Sequence, residues 1–287
     1  EQLKETYPSL VYAACSGFGQ TGPYATRGAY DMVIQGMGGI LSITGEPDQP
    51  PVRVGTSIGD ITAALFTTIG ILSAVHHRQN TGQGQLVDVG MLDCQVAILE
   101  NALTRYFSTG QIPQPLGRRH PAITPFEVFS SQDSYVVIAI GNDQLWAKFC
   151  QCVERADLID DQRFCTNALR TENHDQLQPI MNQILSRQPT AEWVESLTRI
   201  GVPCGPMNTI DKVASDPQVQ AREMIVNLES EIAGNASVPG LPIKLSETPG
   251  RVEVPAPALG EHTKEILETL LGISGTEIDQ LQQSGVI

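Results

Sequence analysis

The segment Gly55-Thr56-Ser57-Ile58-Gly59-Asp60 runs without a break into Ile61–Val75, a stretch containing no charged residue. A glycine-bearing loop delivers one carboxylate and then becomes a helix. Charge returns only at Arg78, so the pattern predicts a helix buried on nearly every face. Asp60 falls where an N-cap is expected, with its oxygens available to the unpaired amides of the first turn. Those amides and the helix dipole favour the ionised carboxylate. Two readings of Asp60 stand at this point: a cap, or a nucleophile.

A helix apolar all round needs a core to enter. The chain has 287 residues, 41% hydrophobic and 17% charged, enough for one large or two ordinary soluble domains. A formal charge of −14 argues against non-specific binding to nucleic acid or to an anionic membrane. The Ile61–Val75 run is too short and too rich in Thr to be expected to span a bilayer. The six cysteines include no CxxC pair, and the five histidines include only the adjacent His76 and His77, so no metal site is expected. Scattered thiols suit a reducing compartment, cytoplasmic or, in a eukaryote, the mitochondrial matrix. The first residues, Glu1-Gln2-Leu3-Lys4-Glu5, lack Met and signal-peptide character. They begin inside an expected helix, as in a fragment or a processed product.

Along the chain, Leu10–Cys15 reads as a buried strand, followed by Gly17-Phe18-Gly19-Gln20-Thr21-Gly22. This formal GxGxxG is followed by Pro23-Tyr24 rather than a helix start, so a turn-rich loop is expected and not a dinucleotide site. Helices are predicted over Tyr30–Ile43 and Leu92–Phe107, with a strand at Leu86–Val89 between the central helix and the latter. This order predicts an α/β unit with a largely buried sheet. After a proline-rich segment, strands at Phe126–Phe129 and Tyr135–Ile140 precede helices at Asp143–Val153, His174–Arg187 and Ala191–Ile200, a smaller α+β unit. A helix near Ile210–Met224, extended segments over Val226–Pro257, and helices at Thr263–Leu271 and beyond complete the pattern. The predicted organisation is a large Rossmann-like domain over 1–109, a linker over 110–125, a small α+β domain over 126–208, and a C-terminal return to the large domain over 209–287.

Several spaced stretches together resemble the class III CoA-transferases, the formyl-CoA transferase and carnitine CoA-transferase type (CaiB/BaiF). They are Ser16–Pro23, Ala29-Tyr30-Asp31, Ile58-Gly59-Asp60, Arg78–Gln85, Gly201–Pro206, Asp216-Pro217 and Leu259–Thr263. The resemblance implies that Asp60 is the catalytic aspartate rather than a cap alone. It implies an α/β fold with a partial Rossmann-like large domain lacking its N-terminal CoA-binding portion, a smaller α+β domain, and two interlocked subunits. It places Tyr30, Asp31, Met91 and Gly117 at the substrate and CoA site, with no permanently bound cofactor and a coenzyme A thioester as substrate. For each the plainer alternative is structural: a helix start for Tyr30 and Asp31, core for Met91.

The implied reaction transfers CoA from an acyl-CoA to a carboxylic acid through a mixed anhydride and an aspartyl-CoA thioester on Asp60. The linker Leu116-Gly117-Arg118-Arg119-His120-Pro121 holds a single glycine, where formyl-CoA transferase has a glycine-rich loop. That departure favours succinyl-CoA and dicarboxylates over formate, with Arg118 or Arg119 facing a second carboxylate or solvent. The related α-methylacyl-CoA racemases use a His–Asp pair, and Tyr30 stands where their His would be. An inactive fragment, or a subunit dependent on a partner, is the remaining reading.

Overall fold

The structure, a computed structural model, describes residues 2–230 and 234–287. Glu1 of the expected first helix and 231–233 of the expected extended region lie outside the described residues. The chain divides into two compact units, Glu1–Met207 and Asn208–Ile287.

The first unit begins with α1 (Gln2–Thr6), β1 (Tyr12–Ser16), α2 (Asp31–Met37) and a 3-10 turn at Ile40–Ile43. It continues through α3 (Ile58–Thr81), β2 (Leu86–Gly90), α4 (Met91–Ala97) and α5 (Asn101–Thr109). Strands β1 and β2 pair in parallel, in register from Tyr12 opposite Leu86 to Ser16 opposite Gly90. Between them α3 runs back along the sheet, as a crossover requires. The helix lies close to the sheet at Gly70, where a Cβ would sit 2.6 Å from Val87 Cγ1.

Four expectations are corrected here. Helix α3 is not buried all round: Gly59, Thr62, Ala63 and Ala74 are buried, whereas Ile61, Leu65, Ile69 and Leu72 are exposed. At 24 residues it is also longer than its uncharged run, and long and apolar enough to cross a membrane by length and composition. The sheet is likewise half-open, with Tyr12 and Leu86 exposed, because two strands with α3 along them cannot enclose both faces. Finally, the single helix expected over Leu92–Phe107 breaks between Ala97 and Asn101, where Glu100 takes the left-handed φ of 51°.

The linker leads to β3 (Phe126–Ser130), β4 (Tyr135–Ala139), α6 (Asp143–Cys152), α7 (Asn167–Glu172), α8 (His174–Leu185), α9 (Thr190–Arg199) and β5 (Cys204–Pro206). The strands form an antiparallel sheet in the order β3-β4-β5. Alternating residues Val136 and Ile138 of β4 enter a core with Trp146, Phe149, Met181, Ile184 and Leu197, all essentially inaccessible. Within that core Arg170 is fully buried. Its Nε donates to Thr124 O at 2.7 Å, one terminal nitrogen to Phe164 O at 2.9 Å, and the other to Asp143 Oδ1 at 2.7 Å. Thr124 lies near the end of the linker, so this arginine fastens the linker to α6 and α7.

The second unit contains α10 (Ile210–Ser215), α11 (Pro217–Ala221), the antiparallel pair β6 (Ile225–Ser230) and β7 (Gly234–Pro239), α12 (Thr263–Thr269) and α13 (Gly275–Gln283). The predicted helix over Ile210–Met224 is thus two short ones. The chain bends at Asp216-Pro217, where Pro217 starts α11 and Asp216 caps it by accepting the Gln218 and Val219 amides.

Candidate active site

Topology sets the location. Because α3 is antiparallel to β1 and β2, its first turn lies toward their C-terminal ends. The loop after β1, the start of α2 and the start of α4 gather at the same ends. In open parallel sheets this edge is where ligands bind.

Asp60 is not the N-cap of α3. The first helical hydrogen bond runs from Ile61 N to Ser57 O at 3.0 Å, so Ser57 is the cap residue and Asp60 is the third residue of the helix. Its side chain is exposed and makes no hydrogen bond or ion pair among the described residues. The cap is supplied by another carboxylate. Asp31, the first residue of α2, accepts the Gly59 N–H on Oδ1 at 2.9 Å. Its Oδ2 accepts from the Gln35 side-chain amide at 2.8 Å. Gln35 has no accessible surface, and its own oxygen accepts the Val54 N–H at 3.0 Å. Gly59 lies at a tight contact between the helices: a Cβ there would sit 3.2 Å from Asp31 Oδ1 and 3.3 Å from Ile34 Cγ2.

Tyr30 immediately precedes α2 and is 84% exposed, with no side-chain capping bond. Met91 is half-buried and opens α4 directly after Gly90. At Gly90 the end of β2 presses on the glycine loop, for a Cβ there would lie 2.9 Å from Gly19 N. Gly117 belongs to a different neighbourhood. With φ of 63°, it donates its N–H to Gly45 O at 2.9 Å and lies against the Glu46 carboxylate. It lines a cavity of about 210 Å³ with Ile43, Leu99, Arg105 and Arg119. The structure therefore joins Asp31 to the turn that carries Asp60, and sets Gly117 against the Gly45–Glu46 turn.

The glycine loop is already occupied. Its Gly19 amide donates to Ser16 Oγ at 3.1 Å, and its Gln20 amide donates to the Asp88 carboxylate at 3.0 and 3.1 Å. A carboxylate from β2 thus takes an amide that a phosphate would use. The amide of Asp60, by contrast, has no acceptor among the described residues. Sequence reasoning missed Gln35 and Asp88. The spacing of Asp31 and Gln35, four apart on one helix, was the available signal for the first. For the second there was none, since Asp88 and Gln20 meet only through the β1–β2 register.

Comparison with known proteins follows the same residues. The CoA-transferase family III model matches residues 1–263. The chain is 37% identical over 278 residues to a succinate–glutarate CoA-transferase of Agrobacterium fabrum, covering 96% of this chain and 69% of that protein. It is 41% identical over 263 residues to an acetyl-CoA:oxalate CoA-transferase of Acetobacter aceti, covering 91% of this chain and 66% of that one. A crystal structure of a CaiB/BaiF family protein from Brucella suis superposes with a TM-score of 0.79 at 37% identity, over 93% of this chain and 70% of the other. The chain thus spans roughly two-thirds of the length of each of these three relatives. Across nearly all of its own length, this chain belongs to CoA-transferase family III.

Proposed function

We propose that this chain carries the reacting carboxylate of a CoA-transferase that moves CoA from an acyl-CoA thioester to a carboxylic acid, and that Asp60 is that carboxylate. The observation that carries the reading is the division of labour at the start of α3. Asp31 satisfies the helix amide, and both oxygens of Asp60 are free of partners among the described residues. A carboxylate held by a rigid turn and open to solvent can attack the carbonyl carbon of a bound thioester.

In the first step an Asp60 oxygen bonds to that carbon, the C–S bond breaks, and CoA leaves as the thiolate. Asp60 is then one half of a mixed anhydride. The thiolate attacks the Asp60 carbonyl, releasing the donor acid and leaving an aspartyl-CoA thioester. The acceptor acid attacks this thioester and expels the thiolate, and the thiolate attacks the acceptor half of the new anhydride. Acyl-CoA departs and the Asp60 carboxylate is restored. The Asp60 N–H lies at the N-terminal turn of the helix, where a donor stabilises a developing oxyanion. Water must be kept from the anhydride, or the sequence ends in hydrolysis.

The relatives named for succinate, glutarate and oxalate support a dicarboxylate acceptor. The test is intact-protein mass spectrometry after incubation with succinyl-CoA, followed by hydroxylamine trapping and peptide mapping. Asp60 is expected to carry a CoA thioester or a hydroxamate, absent from Asp60→Asn. An unmodified Asp60 peptide from a chain that binds the thioester would exclude the covalent route.

A further inference from the structure

We infer that Gln35 is a positioning residue for Asp60, acting through Asp31; the inference rests on the role proposed above for Asp60. The Asp60 side chain has no hydrogen-bond partner among the described residues, so its location is set by the backbone that carries it. That backbone is clamped from one side by a single bracket. Gln35 takes the Val54 N–H at 3.0 Å, donates to Asp31 Oδ2 at 2.8 Å, and reaches Thr56 O at 3.4 Å. Asp31 passes the constraint on through its other oxygen to the Gly59 N–H at 2.9 Å. The loop entering α3 and the first turn of α3 are therefore tied to one helical turn of α2.

Both ends of the Gln35 amide are needed. Its NH2 group orients the Asp31 carboxylate so that Oδ1 faces Gly59, and its oxygen holds the loop at Val54. The side chain is fully buried, and an amide buried in this way is kept by its bonds rather than by solvent. It has no surface through which to meet a substrate. Its influence on the reaction is geometric.

The test compares wild type with Gln35→Met, which keeps length and volume but loses the bonds, and with Gln35→Asn, which keeps the amide but withdraws it by one carbon. Circular dichroism and thermal melting select variants that remain folded. Two readouts follow: hydrogen exchange of the Gly59 and Asp60 amides, and the rate of Asp60 modification by succinyl-CoA as a function of its concentration. Both variants are expected to exchange faster at these amides. The limiting rate of modification should fall about 10- to 100-fold, as expected for a misplaced nucleophile, while the concentration for half-maximal rate changes little. Faster exchange with an unchanged limiting rate would overturn the inference, as would unchanged exchange in folded variants. A wild type that is never modified would refute the role of Asp60 and with it the catalytic half of this inference. The exchange data would still decide whether Gln35 holds the turn.

Discussion

Replacing Arg170 by Ala is expected to destabilise the small sheet and its helices by about 3–8 kcal/mol, and the ion pair contributes little of that. The guanidinium is fully buried and donates to Thr124 O, Phe164 O and Asp143. Its removal leaves two buried carbonyls without donors, at about 1–3 kcal/mol each. It also removes a planar cation lying 5.1 Å from the Trp146 ring centroid, worth about 0.5–2 kcal/mol. Asp143 differs because its side chain is 55% exposed. Water replaces the guanidinium there when Arg170 is lost, and in Asp143→Asn the amide oxygen still accepts from Arg170, so that change is expected to cost less than the alanine variant. Both tryptophans, Trp146 and Trp193, lie in this core, so urea unfolding followed by fluorescence reports on it directly. Equal losses from Asp143→Asn and Arg170→Ala would refute the reasoning and make the charge pair the dominant interaction. Because Arg170 also grips the end of the linker at Thr124, the alanine variant should expose the 116–124 segment to protease before the core unfolds.

Two further outcomes are expected. His174 Nε2 donates to the Glu127 carboxylate at Oε1, 2.9 Å away. That bond raises the histidine above its ordinary value, with burial and Arg119 opposing it and Asp175 assisting. A raised folded-state value means that its stabilisation is complete below the ordinary histidine range and is lost as pH rises through the raised value. Urea midpoints should therefore fall over that interval in wild type and flatten in Glu127→Gln; a wild-type midpoint constant across it would remove the pair from the account. Gln95 is fully buried, and neither its amide nitrogen nor its oxygen has a partner among the described residues. Gln95→Met is expected to be neutral or to stabilise by about 1 kcal/mol, since an unpaired buried amide costs about 1–3 kcal/mol. A loss above that size in thermal melts would mean that Gln95 holds an ordered water or partner group.

The parts of this fold legible in the sequence were those set by local pattern. The β3–β4 hairpin sets two β-prone apolar runs either side of Ser131-Gln132-Asp133, and the structure pairs Phe126 with Ala139 through Ser130 with Tyr135. Helix α6 starts after Asn142, whose side chain accepts the Leu145 amide as an N-cap should. What composition concealed was sidedness. An uncharged run such as Ile61–Val75 reads the same whether one face or every face is covered, because coverage depends on how many strands lie beside it. The site behaved similarly. The loop, the helix and the lone carboxylate of Asp60 were visible in order. Which carboxylate capped the helix was decided by a residue 28 positions away, Asp31 bonding Gly59, and no local rule reports such a pairing.

The two carboxylates at this turn should therefore fail differently. Asp60→Asn replaces the nucleophilic carboxylate by an amide and is expected to abolish modification by succinyl-CoA with little change in stability, since the Asp60 side chain bonds nothing among the described residues. Asp31→Asn keeps an oxygen for the Gly59 N–H but turns an NH2 group toward the Gln35 NH2. Two donors then face each other, and either Gln35 rotates and abandons Val54 or the Asp31–Gln35 bond is lost. Losing one such bond costs about 0.5–1.5 kcal/mol, and the loosened turn should slow modification without stopping it. A carboxylate that accepts helix amides has its charge stabilised there and is a weaker nucleophile for it. Separating the capping oxygen from the attacking oxygen avoids that conflict. Equal inactivity of folded Asp31→Asn and Asp60→Asn, with undisturbed exchange at Gly59, would refute the separation and put Asp31 in contact with the reacting groups.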